Sequence, residues 1–95
     1  MILVIAKVRV HPDKVEEYEA ACREVMPPLQ AANPGIVFYK TGKCRDEPNT
    51  YRVVEAYEDQ AAMDRHIGSE RLKEAFARLQ PCIADLEIKL HDAVG

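Results

Sequence analysis

Apolar and polar positions alternate from the first residues. Ile2, Val4, Ala6, Val8 and Val10 fall on one side of an extended chain, and Leu3, Ile5, Lys7 and Arg9 on the other. The pattern predicts a strand over Ile2–Val10 with one apolar face and a second face that turns basic. His11-Pro12-Asp13 breaks the period. Val15, Tyr18, Cys22, Val25 and Leu29 then recur at three- and four-residue steps, which predicts a helix with one apolar stripe. Pro12 suits a first helical turn, and Asp13 with Glu16 reads as a capping box. Pro27-Pro28 lies inside the stripe and predicts a kink or break, followed by a looser turn to Ala32.

Asn33-Pro34-Gly35 is a turn signal, and Ile36–Lys43 follows as a second strand. In it Ile36, Phe38 and Lys40 alternate with Val37, Tyr39 and Thr41. The polar stretch Cys44–Thr50 leads into a third strand from Tyr51 to Tyr57, which Glu55 interrupts. A carboxylate there needs a partner if its face is covered. Asp59 is placed to cap a short helix ending near Ile67. Gly68 stops it, Ser69 caps the next, and Leu72, Phe76 and Leu79 give that helix its apolar positions. Pro81 ends it. Ile83–His91 alternates again as a last strand.

The order is β-α-β-β-α-β with the second helix split at Gly68. It predicts an α+β, ferredoxin-like fold, an antiparallel sheet with helices on one face, in a single domain over residues 1–95. Rows such as Ile2/Val4/Val8 and Leu86/Ile88/Leu90 are too apolar to face water, and the helix stripes also need cover. A homodimer packing sheet on sheet satisfies both demands. Which row faces which way stays open at this level.

A net charge of −3 argues against general affinity for nucleic acid or an anionic membrane. Met1–Ala6 is too short to span a bilayer, and no signal-peptide pattern follows it. Cys22, Cys44 and Cys82 are odd in number and far apart, so they read as reduced thiols of a cytoplasmic protein. His11, His66 and His91 are widely spaced and predict no metal site. His66 stands in the last turn of a short helix, at an elbow from which a side chain can reach back over the sheet. Any reactive site is expected there.

The stretches "NPGIVFY" and "YRVVEAYEDQAAMDRHIGSERLKEA" resemble the antibiotic biosynthesis monooxygenase family. The resemblance rests on Glu55 two residues before the aromatic Tyr57, on Ala62 and His66 spaced as Ala-x-x-x-His, and on Ser69 with Lys73. It covers nearly the whole chain and implies a dimeric α+β barrel. One branch oxidises quinols or polyphenols with O2 and needs no metal or flavin. For that branch His66 is the implied base and Glu55 its orienting partner. Tyr57, Tyr39 and Phe38 are the implied contacts to an aromatic small-molecule substrate, with Arg71 and Lys7 as further contacts and no cofactor.

A second branch isomerises a phosphorylated hydroxyketone related to autoinducer-2, and "VEAYEDQAAMDRH" is similar to it. That reaction needs cations for the phosphate, for which Lys7, Lys40, Arg52 and Arg71 are candidates. A third branch degrades haem. At its Asn, Trp and His positions this chain has Lys7, His66 and Phe76, which argues against that chemistry. A small-molecule binding or stress-response module without turnover is the remaining alternative.

Overall fold

A computed structural model describes Met1–Gly95 in full. Four strands are β1 (Ile2–Val10), β2 (Ile36–Lys43), β3 (Thr50–Tyr57) and β4 (Ile83–Asp92). Three helices are α1 (Val15–Ala31), α2 (Gln60–Ile67) and α3 (Glu70–Leu79), with 3₁₀ turns at Pro12–Lys14 and Gln80–Cys82. The sheet is antiparallel throughout in the order β2-β3-β1-β4. This is the α+β, ferredoxin-like arrangement the pattern predicts. No helix is long and apolar enough to cross a membrane.

The register decides which residues share a face. Val4 stands opposite Glu55 on one side and Leu90 on the other, Ala6 opposite Val53 and Ile88, and Val8 opposite Tyr51 and Leu86. Cross-strand partners point the same way, so these residues form rows on one face. That face carries the core: Val4, Tyr39, Tyr57, Met63 and Leu29 in one cluster, and Val8, Val10, Tyr18, Tyr51 and Cys82 in a second. Ile2/Val4/Val8 and Leu86/Ile88/Leu90, the rows too apolar to face water, therefore both lie on the helix side. The outer face carries Leu3, Ile5, Phe38 and Val54 instead.

A bulge between Ile36 and Phe38 changes the reading of β2. The extra residue, Val37, has no partner on β3, so Ile36 stays on the helix face with Tyr39 and Thr41. Phe38 turns to the outer face, separated from Ile36, with which simple alternation had grouped it.

Two local expectations also change. The helix α1 runs through Pro27 and Pro28 without a break. The two prolines and the residues whose carbonyls they leave unbonded, Arg23 and Glu24, are all exposed, so water can serve those carbonyls. Meanwhile Cys22 and Leu29 stay buried and keep the helix on the sheet. The capping box does not form either. Asp13 sits within the 3₁₀ turn, and Lys14, the residue before the helix, makes no side-chain cap.

Candidate active site

The position of α2 follows from a short network at its N-terminal half. The Asp59 carboxylate accepts from the Ala62 N–H and caps the helix. Buried Asn33 donates through Nδ2 to the Ala62 carbonyl at 2.8 Å, while its Oδ1 accepts from the Gly35 N–H at 3.1 Å. The Gly35 carbonyl in turn accepts from Glu58 N–H at 2.9 Å. A Cβ on Gly35 would overlap the Cβ of Ala62, so glycine here is a matter of space, not of dihedral angle. The turn before β2 thus clamps α2 against the end of β3. At the other end, Ser69 donates from Oγ to the His66 carbonyl at 2.9 Å and accepts from Leu72 N–H at 3.1 Å. That fixes the elbow between α2 and α3.

His66 is directed inward by this clamp and is 4 % exposed. Its ring meets Tyr39 edge-on, centroids 5.2 Å apart, and lies 5.8 Å from the Tyr57 ring. Its Nε2 stands 3.9 Å from Glu55 Oε1, too far for a hydrogen bond. That same oxygen accepts the Tyr57 hydroxyl. No protein group hydrogen-bonds the imidazole. No sealed-off polar side-chain atom in the chain lacks a partner, so the ring nitrogens must open onto the adjoining cavity. The cavity has a volume of 480 Å³, and 22 of its 27 lining residues are hydrophobic.

Burial sets the electrostatics. Desolvation lowers the His66 pKa below its ordinary 6.5, so the imidazole is neutral at neutral pH. Desolvation also raises Glu55 above the usual carboxylate range, and the Tyr57 hydroxyl partly offsets this by favouring the charged form. Tyr57 and Tyr39 are both raised, by burial first and by the Glu55 charge as well, and remain protonated. The arrangement is a neutral nitrogen base beside a hydrogen-bonded carboxyl group in an apolar chamber. Such a pair can take a proton from a hydroxyl and shelter the positive charge that results.

Of the residues singled out in the sequence, His66, Glu55, Tyr57 and Tyr39 come together on this cavity. Tyr57 is fully buried and its hydroxyl is engaged by Glu55, so it acts on the carboxylate and not as a free donor. Phe38 does not join them, because it alternates with Tyr39 along β2 and so falls on the outer face with Ala56. Lys7 is on that face too, paired with Glu47 at 3.2 Å. Arg71 lines a separate depression between α1 and α3. Among the phosphate candidates Lys7, Lys40, Arg52 and Arg71, none lines the cavity; Lys73 alone of the lysines and arginines does. No group of three or more His, Cys, Asp and Glu side chains is placed to hold a metal ion.

Sequence reasoning missed Asn33 and Gly35, which read only as a turn. It also missed Ala6, Met63 and Ala75, small or flexible residues that shape the cavity wall. Their one signal is that each falls on the core-facing phase of its element.

A sequence model of the antibiotic biosynthesis monooxygenase family matches residues 1–78. Among solved structures, a Caulobacter crescentus protein provisionally described as an antibiotic biosynthesis monooxygenase is 30% identical. The match covers 99% of this chain and 90% of that one, with a TM-score of 0.94. A conserved protein from Methanosarcina mazei is 28% identical over 95% of this chain and 89% of its own, at 0.86. A Nitrosomonas europaea protein with the same provisional description as the first shares the fold at 18% identity, with both chains fully covered and a TM-score of 0.90. No curated protein matches.

Proposed function

The chain belongs to the antibiotic biosynthesis monooxygenase family, and from that premise we propose that it is a cofactor-independent monooxygenase. Its substrate would be a hydroxyaromatic small molecule of the quinol or polyphenol type, with His66 as the base. The observation that carries the reading is the buried, neutral imidazole, free of protein hydrogen bonds and open to an apolar cavity. Ring nitrogens that no protein group occupies are available to a bound hydroxyl.

In the proposed reaction, neutral His66 accepts the proton of an aromatic hydroxyl at Nε2. Glu55, held by Tyr57, stabilises the imidazolium from 3.9 Å away. The aromatic anion is electron-rich enough to pass one electron to O2, and the two radicals combine through a new C–O bond. The peroxide anion so formed takes the proton back from His66, which is neutral again. The hydroperoxide then loses water together with the hydrogen of the attacked ring carbon, leaving one oxygen atom of O2 in the product as a carbonyl. The mostly apolar lining offers bulk water few partners beside the charged intermediates. The shortage of cations at the cavity disfavours the phosphorylated substrate that an isomerase of the second branch would need.

The exposed Ile5, Phe38 and Val54 on the outer sheet face support a homodimer in the same reading. The test is oxygen uptake with a panel of quinols and polyphenols, run with ¹⁸O2 and with His66→Ala in parallel. Uptake above the uncatalysed rate, one labelled atom in the product, and loss of both in the variant are expected. Binding without uptake across the panel would make the protein a binding module and overturn the reading.

A further inference from the structure

The cavity is uneven along its length, with the carboxylate and imidazole gathered at one end. At one end, the row through Val4, Glu55, Tyr39 and Leu90 lies beneath His66. Four residues further along β1, the row through Val8 and Leu86 lies near Leu79 and Ile83 and presents hydrocarbon. At the strand rise this separation is about 13 Å. Between the two, Ala6 leaves the floor low between Val53 and Ile88, and Ala75 keeps the α3 wall back. The mid-cavity hydroxyl of Thr41 is already committed, donating to Met26 Sδ at 2.8 Å. At the far end Gln80 brings an amide and Tyr18 a buried phenol, with no charged side chain.

From this unevenness we infer that the site takes an amphiphilic substrate, a hydroxyaromatic head that carries an unbranched apolar chain, and not a bare quinol. The inference rests on the reading of His66 as the group that meets the substrate hydroxyl. The head stands where Nε2 and Glu55 Oε1, 3.9 Å apart, can both reach one hydroxyl oxygen. The chain runs from there along the Ala6/Ile88 row to Val8 and Leu86, a length that holds roughly a hexyl to octyl chain. The volume of 480 Å³ agrees, lying within the ~300–1,000 Å³ typical of sites for drug-sized ligands. The Leu86, Ile88 and Leu90 side chains are 36, 54 and 58 % exposed beside the same cavity. A chain laid along them removes that apolar surface from water. Ala6 is then the residue that sets how long a chain fits.

The experiment is a series of 4-alkylphenols, methyl through octyl, titrated calorimetrically under nitrogen so that binding is read apart from turnover. Affinity is expected to rise by up to about fourfold for each methylene buried and to level off near hexyl to octyl. Ala6→Leu should bring the plateau two or more carbons earlier. Leu86→Asn, at a partly exposed position that a fold tolerates better, should shrink the ratio of octyl to methyl affinity. His66→Ala should weaken all members by the same factor. Affinity independent of chain length, or the absence of any binding, would overturn the inference. A chain-length gain without oxygen uptake by any member would leave the amphiphile site standing and remove the monooxygenase. Uptake with bare quinols but flat affinity would do the reverse.

Discussion

His66 Nε2 and the Tyr57 hydroxyl converge on one oxygen of Glu55, but only the tyrosine is bonded to it. The carboxylate is therefore held by a residue that makes no other polar contact, and the histidine is left available. Division of labour follows from the register: Tyr57 and Glu55 sit two apart on β3 and point to the same face.

Removing the Tyr57 hydroxyl acts on Glu55. Burial already raises the carboxyl pKa, and the tyrosine hydrogen bond opposes that rise. Tyr57→Phe should push it higher still. A raised folded pKa means that burial of the charged carboxylate weighs against folding above that pKa and is relieved as pH falls through it. The variant should therefore lose more stability at pH 8 than at pH 4.5, by about 1.5–3 kcal/mol at the higher pH. Urea unfolding at both values checks this. Equal losses at the two would mean that Glu55 does not depend on Tyr57.

The sign is opposite for His66. Its folded pKa is depressed by burial, so the unfolded chain binds the proton more readily. Stability should fall as pH drops below the ordinary histidine value toward the folded one. His66→Gln, which cannot take the proton, should flatten that stretch of the stability profile. Thermal unfolding between pH 7.5 and 5 measures it.

Gly35→Ala should destabilise the protein by about 1–3 kcal/mol, because the new methyl must displace Ala62. Combining it with Ala62→Gly removes the overlapping atom. A double-mutant cycle should then recover part of the loss, less the propensity penalty of glycine inside α2. No recovery would mean that the overlap is not what makes Gly35 necessary.

Most of the fold was legible in the sequence because period, caps and breakers agreed. Asp59, Gly68 and Ser69 mark the ends of α2 and α3 where the structure has them. The same logic placed His66 at an elbow and marked Glu55 as a carboxylate in need of a partner if its face is covered. What escaped was information held in tertiary contacts. A one-residue bulge at Val37 puts Ile36 on the face of Tyr39 instead of that of Phe38, and nothing local in "GIVFYK" announces it. Pro27-Pro28 kept its helix because packing of Cys22 and Leu29 outweighs two lost backbone bonds on the wet side. Asn33 and Gly35 read as a turn, since their partner Ala62 is nearly thirty residues away.

For the homodimer, Val54→Lys on the outer sheet face should shift the protein toward monomer while the helix-side core stays intact. Sedimentation velocity would detect it. An unchanged sedimentation coefficient in a folded variant would place the contact elsewhere.

The most direct test of His66 as the base is the pH dependence of oxygen consumption in wild type and His66→Gln, with one phenolic substrate of known pKa. With a base in place, the wild-type kcat/KM should be nearly flat from about pH 6.5 up to the substrate's own ionisation. Without it, the remaining rate should climb about tenfold per pH unit as the substrate ionises in solution. A His66→Gln profile parallel to wild type, merely scaled down, would contradict the account and return His66 to a structural role.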